Sequence, residues 1–165
     1  MLNKLFIEMI KYYSGDAKRI QHFVKVHSFA KLIGEMENLE KDILLILETA
    51  AYVHDIGIKN AELKYGKCSG KLQEQEGPPE ARKMLEKLGF NEKIIERVCY
   101  LVGHHHTYSD IDGIDYQILL EADFLVNIYE DNVNNDTIKS VYNKVFKTKS
   151  GKQLLELQYV YSIKL

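Results

Sequence analysis

Apolar residues recur every three or four positions almost throughout the chain, the period of helices that turn one face to a core. Leu5, Phe6, Met9, Ile10 and Tyr13 form the first such run, and Ser14-Gly15 stop it. Asp16 is placed to cap a second helix, which carries Ile20, Phe23, Val24, His27, Ala30 and Ile33 and continues to about Met36. His27 falls on or near its apolar face. The stretch 41–54 is apolar on all sides, which suits a central helix, and it ends in His54-Asp55 with Gly57 as the expected break.

Residues 59–77 turn polar, hold Gly66 and Gly70 and show little periodicity, so a long loop or short helical turns are expected there. Pro78-Pro79 then opens a helix that Gly89 closes, and Asn91 caps another running toward Val102. The loop 103–113 contains His104-His105-His106 and leads into a strongly apolar helix over 115–129 that encloses Asp123. An Asn-rich turn at 132–135 and helices around 141–146 and 151–161 complete the chain. No segment shows a convincing strand period, and there is no internal repeat or linker. The expected fold class is all-α, a compact helical bundle forming one domain over 1–165.

Composition narrows the functions this bundle can serve. A length of 165 residues with 45% hydrophobic content is enough to bury a continuous core without cross-links. With 22 Lys and Arg against 24 Asp and Glu, the net charge of −2 gives no basic stripe, which disfavours a nucleic-acid-binding domain and means that an anionic substrate must be captured locally. Two cysteines, Cys68 and Cys99, are too few for a disulfide framework or a four-cysteine zinc site, which fits a reducing, cytoplasmic setting. No stretch approaches the roughly 20 apolar residues of a membrane span, and the N-terminal residues carry an early acid, so export and membrane insertion are not expected.

Candidate chemistry lies where acids meet apolar helices. Desolvating a carboxylate costs several kcal/mol unless a cation compensates it, and both Asp55, at the end of a buried helix, and Asp123, among Leu119, Leu120, Ala122, Leu125 and Val126, raise that problem. His27 and His54 add imidazoles. Four such groups converging would give mixed nitrogen and oxygen ligation, suited to a divalent transition metal. Each residue also has a plainer reading: His27 as a hydrogen-bonded core histidine, His54-Asp55 as a helix-terminal turn, and Asp123 as the partner of a distant Lys or Arg.

His27, then His54-Asp55 within His-Asp-Ile-Gly, then Asp123 within Leu-Glu-Ala-Asp together resemble the H…HD…D signature of the HD-domain metal-dependent phosphohydrolases, over about residues 20–130. The resemblance implies a helical bundle around one ion held by His27, His54, Asp55 and Asp123. The C-terminal helices over 136–165 would pack on that core. It further implies hydrolysis of a small phosphate ester by a metal-bound water, with nucleotides among the candidate substrates. The ion could be Mn, Fe, Co, Ni, Zn or Mg. A catalytically inactive, metal-bound ligand-sensing module is the alternative.

Around that set, Asp55 could orient the attacking water, and Lys59, four residues on, is the first candidate to neutralise phosphate, with a solvated loop lysine as its plainer role. His104 and His105 read first as phosphate-contacting or supporting groups and second as ligands. Relatives with two metals carry a histidine where Gln73 stands, which favours one ion here. Glu76 could substitute, or serve as an acid near a helix start.

Overall fold

The computed structural model describes residues 1–160. Among them are nine helices and no strand: α1 (Leu2–Tyr12), α2 (Ala17–Met36), α3 (Lys41–Val53), α4 (Gly57–Tyr65), α5 (Gly70–Lys87), α6 (Glu92–Val102), α7 (Ile114–Glu130), α8 (Asn135–Lys144) and α9 (Lys149–Gln158). The all-α expectation therefore holds. No helix in the described residues is long and apolar enough to cross a membrane.

α2, α3 and α7 form the centre, each packed on the other two, with α6 against α3 and α1 covering α3 from outside. The patterns explain their burial. α3 buries Ile46, Leu47, Thr49, Ala50, Ala51 and Val53, so little of its circumference is left for solvent. α6 buries Ile94, Ile95, Val98, Leu101 and Val102, one face at helical spacing, and Asn91 caps it by accepting from the Ile94 amide at 2.9 Å. Asp16 caps α2 by accepting from the Arg19 amide at 3.1 Å. One buried cluster runs from Leu5 on α1 to Leu155 on α9, and α9 rests on α7 and α2.

The largest departure from expectation lies in residues 59–77, which are mostly helical. Gly57 does not end a helix; it starts α4. A Cβ there would sit 2.5 Å from the Gln73 carbonyl oxygen and 2.7 Å from the Gly77 nitrogen, so glycine is needed for the close approach of α4 to α5. α5 starts at Gly70, capped by Ser69, and Pro78 and Pro79 lie inside it rather than at its start. The polar first turns of α5 are held by tertiary partners: Gln73 meets His106, Glu74 accepts from the His106 amide and the Thr107 hydroxyl, and Glu76 meets Lys64 and Tyr65. α8 begins at Asn135, earlier than expected, because Asn134 caps it. Of the last expected helix, Tyr161 lies outside the described residues.

Candidate metal centre

Four chain segments meet at the C-terminal end of α3. α2 brings His22, the turn after α3 brings His54 and Asp55, the middle of α7 brings Asp123, and the turn after α6 brings His105. The His22 and His54 Nε2 atoms are 3.3 Å apart. Asp123 Oδ1 lies 3.2 Å from the first and 3.6 Å from the second, and Asp55 Oδ2 is 3.5 Å from both. On the other side of Asp55, Oδ1 is 3.3 Å from His105 Nε2.

The far side of each imidazole decides what its near side offers. His54 Nδ1 donates to the Ala51 carbonyl at 2.9 Å and His105 Nδ1 to the Val102 carbonyl at 2.8 Å, while His22 Nδ1 faces Glu130 Oε2 at 2.9 Å. With the proton held on Nδ1, a neutral ring presents a bare Nε2 lone pair to the centre. His105 Nε2 and Asp123 Oδ1 are buried and make no hydrogen bond. Facing lone pairs and orphaned buried acceptors are costly together, and a shared cation relieves all of them, so the donor set fits a divalent ion.

The same carboxylates draw positive charge into the cluster, a proton on an imidazole wherever an ion does not supply it. Burial pushes the His54 imidazole down, but Asp55 and Asp123 outweigh it and hold the group up at about 9. Burial would raise both carboxyls; His54 and His105 instead hold Asp55 below the usual carboxylate range, and His22 and His54 do the same to Asp123. His106, beside His105, is pushed down to about 4 by burial and then by its neighbour, so it stays neutral. Only Asp55 among the inner groups keeps appreciable side-chain exposure, 23%.

The expected residues divide sharply. His54, Asp55, Asp123 and His105 come together. His27 does not: its ring stacks on Tyr52 with centroids 3.9 Å apart and its Nε2 meets Glu48 at 2.8 Å, the core-histidine reading. His22 takes the place expected for it. The buried stripe of α2, Val26, Ala30 and Ile33, extended back one turn, lands on His22, and that extension was the available signal. Lys59 is turned away, donating to the Tyr12 carbonyl at 2.9 Å. Glu76 is engaged by Lys64 and Tyr65 on the α4 side, and His104 donates to the Tyr100 carbonyl at 2.7 Å and stacks on that ring. Glu130, held also by Lys25, and His106 are further participants that spacing did not single out.

Two clefts open on the centre. One, of about 360 Å³, lies along α7 and α8; the other, of about 270 Å³, lies toward the start of α2 and includes Lys18 and Arg19. They share Asp55, Asn127 and Asp131.

An all-helical chain with a central histidine-aspartate cluster is the arrangement of HD-type proteins, and the HD domain family model matches residues 19–160. The chain belongs to the HD domain family. A search of curated proteins gave no match. Among solved structures, a predicted HD superfamily hydrolase from an uncultured Thermotogales bacterium is similar, with a TM-score of 0.66 and 24% identity over 99% of this chain and 86% of that chain. At that identity the likeness is one of fold.

Proposed function

We propose that this protein is a metal-dependent phosphohydrolase acting on a small phosphate ester. The observation that carries the reading is the convergence of the His22 and His54 Nε2 atoms on Asp123 and Asp55 while their Nδ1 atoms are tied elsewhere. His22, His54, Asp55 and Asp123 would hold the ion, with His105 behind Asp55. A divalent ion in such a site supplies a Lewis acid for a phosphoryl oxygen and lowers the pKa of water.

The chain's own groups supply the rest. Asp55 is partly exposed and kept anionic by its histidine neighbours, so it suits orienting a water better than storing a proton. Lys18 and Arg19, on the first turn of α2, take the phosphate-neutralising role expected of Lys59 and His104. Arg19 is already paired with Asp16 and Glu62, whereas Lys18 has no ion-pair partner among the described residues and is the freer charge. His106 offers a neutral imidazole on the opposite wall.

The test is metal content of the purified protein together with phosphate release from a panel of phosphate esters in added manganese, cobalt, nickel or magnesium. We expect about one ion per chain, lost in His22→Ala and His54→Ala and retained in His27→Ala. Retention of metal and turnover by His22→Ala would sink the assignment. Metal without turnover on any ester would favour a ligand-sensing module.

A further inference from the structure

The end of α1 meets the turn that carries His54 and Asp55. The buried stripe of this helix, Leu5, Met9 and Tyr13, repeats every four residues and lies against α3, so its last member falls just past the helix end, beside the passage from α3 to α4. Packing at that place asks only for a ring. Tyrosine adds a hydroxyl, and it donates to the Asp55 main-chain carbonyl at 2.8 Å.

That carbonyl lies where the regular helical bonding is interrupted. Within the turn, the Ile56 amide bonds the Val53 carbonyl at 2.9 Å and the Ile58 amide bonds the Asp55 carbonyl at 3.1 Å, both spanning three residues, and Tyr13 adds an anchor from outside. The Asp55 side chain serves two sides at once. Its Oδ2 is 3.5 Å from the His22 and His54 Nε2 atoms, and its Oδ1 is 3.3 Å from His105 Nε2, so a small rotation of the peptide would move both oxygens. The tyrosine is itself held. The Arg19 guanidinium stands 5.7 Å from the Tyr13 ring centroid, and Tyr12 meets that ring edge-on with centroids 5.0 Å apart. Lys59 of α4 donates to the Tyr12 carbonyl at 2.9 Å, which ties the end of α1 to the far side of the turn as well. The Tyr12 hydroxyl, by contrast, is buried and has no hydrogen-bond partner.

We infer that Tyr13 is a positioning residue of the metal centre: through the Asp55 carbonyl it fixes where that carboxylate stands between His22 and His54 on one side and His105 on the other. The HD match begins at Arg19, so this support comes from a segment ahead of the matched residues. The inference rests on the cluster being a metal centre and is independent of the substrate.

Tyr13→Phe keeps the ring and removes the hydroxyl, while Tyr12→Phe removes a neighbouring hydroxyl that bonds nothing. Cobalt binding to the whole chain, read by titration and by the visible absorption of the bound ion, compares both with wild type. Tyr13→Phe should weaken cobalt affinity roughly tenfold, alter the absorption bands that report ligand geometry, and shrink the rise in melting temperature that cobalt produces. Tyr12→Phe should do none of these. Circular dichroism and metal-free melts check that each variant folds. A hydroxyl that served only the core would lower the metal-free melting temperature of Tyr13→Phe and leave cobalt affinity and spectrum at their wild-type values, and that result would overturn the inference. An equal loss of affinity in Tyr12→Phe would overturn it too. No cobalt uptake by the wild type would overturn it together with the metal centre. Phosphate release is read separately: the expected cobalt results without turnover of any ester would defeat the phosphohydrolase reading alone.

Discussion

His22 reaches the centre with its orientation already set by Glu130. The carboxylate accepts from Nδ1 at 2.9 Å and is itself engaged by Lys25, so the ring is locked with Nε2 inward before any ion arrives. Glu130→Gln leaves one oxygen able to accept but removes the charge that raises ligand basicity. We expect it to weaken metal affinity roughly 10-fold to 100-fold, as loss of a supporting partner commonly does, with helical content unchanged. Metal titration followed by circular dichroism checks both halves. At this scale the candidate site was only partly legible. His54, Asp55 and Asp123 announce themselves as polar groups in apolar helices, but His22 and His27 are both histidines on one helix, and only the direction of the buried stripe separates them.

Helices that carry their own apolar period could be read from sequence; those held by neighbours could not. α2, α3, α6 and α7 bury apolar stripes or cylinders and were expected within a few residues of where they lie. α4 and the first turns of α5 are polar, and their stability comes from the Gln73, Glu74 and Glu76 contacts and from the close passage at Gly57. That passage is testable. In Gly57→Ala a methyl meets backbone rather than a flexible side chain, so the helices must separate, at a cost of about 1–3 kcal/mol. Denaturant unfolding would measure it. Because the Gln73 amide oxygen accepts from His106 Nε2 across the same contact, the variant should also disturb the cleft wall.

Across the whole molecule, one exposed network ties the first helix to the fifth. Lys11 and then Lys87 hydrogen-bond Glu8, each at 2.8 Å, and lower its carboxyl from 4.5 to about 2. A folded-state value below the ordinary one means that the stabilisation is fully present above about pH 4.5 and is lost as the pH falls through about 2. The melting-temperature advantage of wild type over Glu8→Gln should follow that window and shrink with added salt, since the pairs are solvent-exposed. An advantage that grew on acidification would contradict this pairing.

Glu121 acts at longer reach. It is fully buried, accepts from Gln117, from the Lys147 and Thr148 amides and from the Thr148 hydroxyl, and so anchors the turn that begins α9. It stands two residues before Asp123, about 200° around α7, and therefore grips the helix from the side opposite the cluster. Apolar packing lets a helix swivel about its axis, whereas directional bonds do not. Glu121 thus sets the azimuth at which α7 presents Asp123, like an indexing pin in a rotary bearing, and the aim of that carboxylate is adjusted from the far side of the shaft.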